Sequence, residues 1–273
     1  MAPEMQADED KFARLSTLTF LSVFCGLIAL FYSAVVLIDP YDAGYFPSIL
    51  GPGVFDPNEH TNIASRARDQ RFDAAIFGNS RGQLLNPGAL TKETGLSFIQ
   101  LFARGTGPRD QLAIMRYFLR RHPQARAIVV AADQLWCTHD RNLPSGFGPE
   151  VPVFPRWLYS DDRIEYLSHM LNTSMFRFMR RRVEVARGAQ PPTDLAGYIN
   201  YEVGREWTFN PGQAPVYSDE GTPAFADFNG AFPAISLLER SVRELAPSAT
   251  LIAAMPPIYS TNELAQCKAR LTM

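Results

Sequence analysis

Residues 72–82 read FDAAIFGNSRG, and this stretch decides the fold. The first six residues (FDAAIF) are a short apolar run of the kind that makes a buried strand. Gly78-Asn79-Ser80-Arg81-Gly82 follows as a turn punctuated by two glycines. Working outward, residues 83–94 read as a helical or partly helical return, and 96–102 (LSFIQLF) as a second strand. Gly105-Thr106-Gly107-Pro108 breaks the chain. Residues 110–121 then place Leu112, Ile114, Met115, Phe118 and Leu119 on one helical face. Residues 127–132 (AIVVAA) make a third strand with Asp133 at its end. An amphipathic helix over 231–245 leads to a fourth strand, 250–255 (TLIAAM), and a last helix is expected over 262–271. Strands that alternate with helices of this length predict βαβ units and a parallel sheet. In such sheets the chemistry sits beyond the carboxyl ends of the strands. The loops that qualify are 78–82, 103–108, 133–140 and 256–260.

Residues 15–38 carry no charge over 24 positions, enough for a helix to cross a bilayer core. A cleaved signal peptide would have a shorter apolar core and a small-residue cleavage site. This span runs straight into Asp39-Pro40-Tyr41-Asp42, so an uncleaved anchor is the reading adopted. Lys11 and Arg14 precede it, and no Lys or Arg follows until Arg66. The positive-inside rule therefore puts residues 1–14 in the cytoplasm and the rest outside. For a bacterial inner membrane, outside means the periplasm. A net charge of −2 gives no global attraction to nucleic acid. Cys25, Cys137 and Cys267 are too few and too scattered for a metal site or a disulfide scaffold, although Cys137 and Cys267 could pair in an oxidising compartment.

Residues 39–70 are rich in Pro, Gly and Asp and read as a linker to an α/β domain over 71–273. Within that domain, 138–229 is rich in Pro and aromatic residues and reads as an insertion over the active edge, with one helix spanning 161–187. Its basic patch, residues 176–182 (FRFMRRR), fits a solvated helix face, or contact with lipid headgroups or an acidic polymer.

A serine hydroxyl is a weak nucleophile until a base and an oxyanion site surround it. A sharp turn after a strand lifts the hydroxyl clear of the sheet and gathers backbone N–H groups at one point. The plain alternative for Ser80 is a helix cap. The wider pattern weighs against that alternative. An N-terminal span, IDPYDAGYF, FDAAIFGNSR, FARGTG, VVAADQLW and LIAAMPPIY occur in this order. In these blocks the chain resembles membrane-anchored members of the SGNH/GDSL hydrolase superfamily, especially the bacterial group related to envelope polysaccharide acylation proteins. The resemblance implies a flavodoxin-like three-layer α/β fold with a parallel sheet, and ester chemistry on an acylated glycan. It implies Ser80 as nucleophile and the N–H groups of Ser80 and Gly105 as oxyanion donors. Asn79, Arg81 and Asp133 become candidate substrate-binding residues.

Two departures stand out. The family's third block supplies an Asn where this chain has Asp133, and an ionised Asp cannot donate to an oxyanion. The family's C-terminal Asp-x-x-His has no counterpart, since no His follows Met255. Of His60, His122, His139 and His169, the candidate base is His139, on the expected active edge; His169 is the second choice. His60 and His122 read as surface residues. An esterase or O-acyltransferase, a non-catalytic envelope protein that binds a polysaccharide or a partner, and a clipped inactive product all fit the residues at this point. No Gly-x-Gly-x-x-Gly, P-loop or metal motif calls for a cofactor.

The charge asymmetry around the span makes a direct prediction. A C-terminal alkaline phosphatase fusion is expected to be active in bacterial cells and a C-terminal green fluorescent protein fusion dark; the reverse pattern would invert the topology.

Overall fold

The computed structural model describes residues 2–54, 58–138, 140–146, 153–190, 196–198 and 232–254. Four strands, β1 (Ala74–Gly78), β2 (Phe98–Phe102), β3 (Ala127–Ala131) and β4 (Thr250–Ala254), lie in the order β2-β1-β3-β4. All neighbours are parallel, with Gly78 opposite Phe102 and Ile76 opposite Val129. β1, β2 and β3 are buried along their whole length, which is why each reads as an unbroken apolar run.

The strand order fixes where the helices go. The chain steps from β1 to β2 in one direction, then returns past β1 to β3. Right-handed crossovers therefore put the two connections on opposite faces. Helix α3 (Pro87–Thr94) makes the first and helix α4 (Pro108–Arg121) the second. Side chains alternate accordingly. Ala75, Phe77, Ile99, Leu101, Ile128 and Val130 join the large core under α4. Ala74, Ile76, Phe98 and Val129 face Leu85 and Leu90 on the thinner side. Helix α7 (Pro233–Leu245) precedes β4, continues in the direction of the second crossover and packs beside α4, with Arg116 donating to Ser241 Oγ at 2.9 Å.

Helix α1 (Ala2–Ile38) contains a stretch, Lys11–Ile38, long and apolar enough to cross a membrane, and little of it is buried. Its last two turns differ from the rest. Val35 is fully buried, and Phe31, Tyr32 and Ile38 pack against the domain core.

Residues 39–70 are not the expected linker but part of the domain. Asp39 and Asp42 both take left-handed backbone angles (φ 48° and 50°), and both are buried. Asp39 accepts the N–H groups of Ala43 (3.0 Å) and Gly44 (2.7 Å) and the Tyr166 hydroxyl (3.0 Å). Asp42 accepts the Gly53 N–H (2.8 Å) and the Ser65 hydroxyl (2.6 Å), and pairs with Arg68 and Arg182. Helix α2 (Glu59–Arg66), capped by Asn58, is buried at every residue except Glu59. The composition suggests a loop because most of these groups are polar. They are buried because almost every one finds a partner.

The insertion also departs from expectation. The single helix over 161–187 is two helices, α5 (Arg163–Met170) and α6 (Ser174–Ala186). Asp162 caps α5 through the N–H groups of Ile164 and Glu165, and the break comes at residues 171–173. Both helices pack around the end of α1 rather than over the active edge. Near that edge, Gly146 at the start of the insertion bridges Thr106. Arg182, inside the basic patch, is not solvated at all; its side chain is 0% exposed and paired with Asp42 at 3.1 Å.

Removing one partner of a buried ion pair strands the other. Arg182→Ala is expected to destabilise the chain by about 3–5 kcal/mol. Arg180→Ala, whose pair with Glu184 is exposed, is expected to cost less than about 0.5 kcal/mol. Thermal unfolding of the full chain in detergent separates the two.

Candidate functional site

The direction of the crossovers reverses between β2 and β3, so the carboxyl ends of β1 and β3 mark the switch point, the place where open α/β sheets bind ligands. The β1 turn is pressed hard against β3 there. A Cβ at Gly78 would lie 2.9 Å from the Ala131 Cβ, so only glycine fits. Asn79 then acts as a strut. Its Nδ2 donates to the Asp133 carboxylate at the end of β3, and its Oδ1 accepts the Arg81 N–H at 3.1 Å. The Asn79 carbonyl takes the Gly82 N–H at 2.9 Å, which closes the turn. From the other side, Gln100 Nε2 donates to the Gly82 and Leu85 carbonyls at 2.8 and 2.9 Å.

Ser80 sits exposed at the tip of this turn. It caps no helix: the following 3-10 turn (Gly82–Leu84) starts after Arg81 with no side-chain cap, and α3 is capped by Asn86. Among the described residues neither its hydroxyl nor its N–H makes a hydrogen bond. The same holds for the N–H of Gly105, three residues past the end of β2, where φ is +71°. Gly78 pairs with Phe102, so Ser80 and Gly105 lie on the same edge of neighbouring strands. Arg81 is half-buried, and its Nη1 is buried without a partner among the described residues.

Asp133 is committed elsewhere. One oxygen accepts from Asn79 and the other from the Leu135 N–H at 3.0 Å. Burial raises its pKa, while those two bonds oppose the shift. Through these two bonds it positions the β1 turn and the turn after β3. His139 and the loop 256–260 lie outside the described residues, as do Cys267 and residues 262–271. Cys137 is disulfide-bonded, and Cys25 in α1 is free. No group of three or more metal-ligating side chains occurs among the described residues.

The other histidines correct the expectation of surface positions. His60 is buried, and its Nε2 donates to the carbonyl of Arg104, next to Gly105, at 2.9 Å. His122 is buried against Phe118, and its Nε2 donates to the Asp69 carbonyl at 3.0 Å. His169 stacks on Trp157. None of the three bonds to Ser80.

Sequence reading missed the residues that hold the Gly105 loop. Gln111 donates to the Thr106 carbonyl (3.1 Å) and accepts from the Trp136 indole (3.1 Å), so it ties the loops after β2 and β3 together. Pro144 lies so close over Gly107 that a Cβ there would come within 2.3 Å of its carbonyl oxygen. Below the loop, Asp110 in the first turn of α4 accepts from Arg156 at 3.0 Å. The only sequence signal for this support was a polar Asp-Gln pair at the start of an amphipathic helix. A cleft of about 450 Å³ lies away from Ser80, among Asp42, Pro52, Gly53, Ser65 and Arg68.

Comparison with protein-family models, curated proteins and solved structures gave no match.

Burial pushes the Asp110 carboxyl up to about 6, against the pull of Arg156 and His60. The folded chain therefore binds this proton more tightly than the unfolded chain, whose Asp titrates near 3.9. The stabilisation is complete below about pH 4 and is lost as pH rises through about 6. Asp110→Asn is expected to remove about 1–3 kcal/mol of this pH dependence. Melting curves of both chains between pH 4 and 7 measure it; parallel curves would refute the assignment.

Proposed function

We propose that the chain is a membrane-anchored, extracytoplasmic serine esterase or O-acyltransferase of SGNH/GDSL type that acts on an acylated envelope glycan. The observation that carries this reading is the exposed Ser80 at the switch of the sheet, with two backbone N–H groups, its own and that of Gly105, on adjacent strand ends and without a hydrogen bond among the described residues. The strand order β2-β1-β3-β4 supports a flavodoxin-like assignment. The placement of the anchor supports a polymer rather than a lipid as substrate. The chain beyond α1 meets α4 at its C-terminal end, where Tyr117 donates to the Ala43 carbonyl at 2.7 Å. The Gly105 loop lies at the other end of this 14-residue helix, about 20 Å away.

In this reading the Ser80 hydroxyl attacks the acyl carbonyl carbon and passes its proton to His139. The N–H groups of Ser80 and Gly105 hold the oxyanion. The carbon–oxygen bond to the sugar breaks, and the leaving oxygen takes the proton. Water or a second hydroxyl then attacks acyl-Ser80, with the same base, and frees the enzyme. Arg81, half-buried and next to Ser80 in the turn, is the cation assigned to an oxygen-rich substrate. A second reading, a non-catalytic glycan-binding protein, is favoured by one observation: both Asp133 oxygens are occupied and none of His60, His122 and His169 bonds to Ser80.

Reaction of the full chain with a fluorophosphonate probe decides between them. Labelling is expected in the parent chain, absent in Ser80→Ala, and slowed by about a thousandfold or more in His139→Ala. A folded parent chain that does not label supports the binding protein instead.

A further inference from the structure

The end of α1 and helix α6 share three successive contacts. Phe176 meets Phe31 edge to face, with ring centroids 5.7 Å apart. Phe178 lies 4.9 Å from Tyr41. Arg182 reaches the Asp39 carbonyl at 3.3 Å and the Asp42 carboxylate. Helix α6 therefore runs beside the last turns of α1. Its start is level with Phe31 and its far half lies beyond Ile38.

Length then sets the level of the bilayer. The 16 residues from Leu15 to Leu30, the stretch free of the domain, span only about 24 Å as a helix. A hydrocarbon core of about 30 Å needs about 20 residues. With the charged Lys11 and Arg14 held at the opposite headgroups, the core extends past Phe31 to about residue 34, which brings the level of Phe176 to the bilayer boundary. The surface chemistry there matches. Phe176 is 64% exposed and Leu171, in the turn before α6, 63% exposed. Arg177, whose guanidinium lies 5.5 Å from the Phe178 ring centroid, and Arg180, in an exposed pair with Glu184, are exposed on the same helix. Exposed apolar groups flanked by Arg are the signature of an element that lies in the interface of an anionic membrane.

We propose that the start of α6 is a second membrane contact: Leu171 and Phe176 enter the acyl boundary, and Arg177 and Arg180 bind anionic lipid headgroups. This rests on α1 as a bilayer anchor. It makes the anchorage two-point, so the domain is held in one orientation with the Ser80 edge turned away from the bilayer.

The test uses the full chain in nanodiscs of phosphatidylcholine, with and without phosphatidylglycerol, doped with a lipid that carries a diazirine near the top of its acyl chain. After irradiation, labelled peptides are mapped by mass spectrometry. The expected result is label on α1 and on residues 171–177, the latter rising with phosphatidylglycerol. In Arg177→Glu/Arg180→Glu the α6 label should fall about fivefold or more in anionic discs, with α1 labelling unchanged. Arg177→Lys/Arg180→Lys should retain it. Label on α1 alone overturns the second contact and leaves the anchor standing. No label on α1 overturns the anchor, and the inference with it. An α6 label indifferent to phosphatidylglycerol and to the Glu variant overturns the headgroup role.

Discussion

Asp42 is the point on which the rest of the molecule hangs. Its carboxylate, nearly inaccessible to solvent, takes Arg68 from the segment before β1, Arg182 from the insertion, the Ser65 hydroxyl from α2 and the Gly53 N–H. Four separate stretches of chain thus meet at one buried charge, four residues past the end of α1. A buried carboxylate persists as an ion only when its oxygens are filled in this way. The left-handed backbone at Asp39 and Asp42 bends the chain sharply enough for both side chains to turn inward. The outcome is a rigid joint between an apolar helix and an α/β domain.

That joint gives the domain a polarity. The end of α1, α5 and α6 gather at the end of α4 that precedes β3. The glycine-rich turns gather at the opposite end, beyond the carboxyl ends of the strands. The two ends are stabilised by different physics. At the anchor end, ion pairs and an aromatic group of Tyr41, Tyr45, Trp157 and Tyr166 hold long side chains together. At the site end, small residues let backbones approach: Gly78 against Ala131, Gly107 against Pro144, and Gly146 against the Gly105 carbonyl. Among the described residues the N–H groups of Ser80 and Gly105, on these turns, make no hydrogen bond. The Asn79–Asp133 bond ties the β1 turn, which carries Ser80, to the end of β3. The Asp that departs from the resembled pattern therefore still serves the site, as a support for its neighbour.

Local sequence determined the strands, because a parallel strand buried on both faces must be apolar throughout, as AAIFG, FIQLF and AIVVA are. It determined the span of α1 by length and lack of charge, and it marked the turn that carries Ser80 by its two glycines. What only the tertiary structure decided was the fate of polar residues. Asp39, Asp42, His60, Arg182 and Gln111 look like surface or linker residues, and all are buried. Their burial depends on partners between 5 and 140 or so positions away in the chain, such as Gly44 for Asp39 and Asp42 for Arg182. No local pattern announces such a partner, since a polar group is tolerated inside only when a distant segment completes its hydrogen bonds. The apolar code is legible one strand at a time; the polar code exists only once the chain has closed on itself.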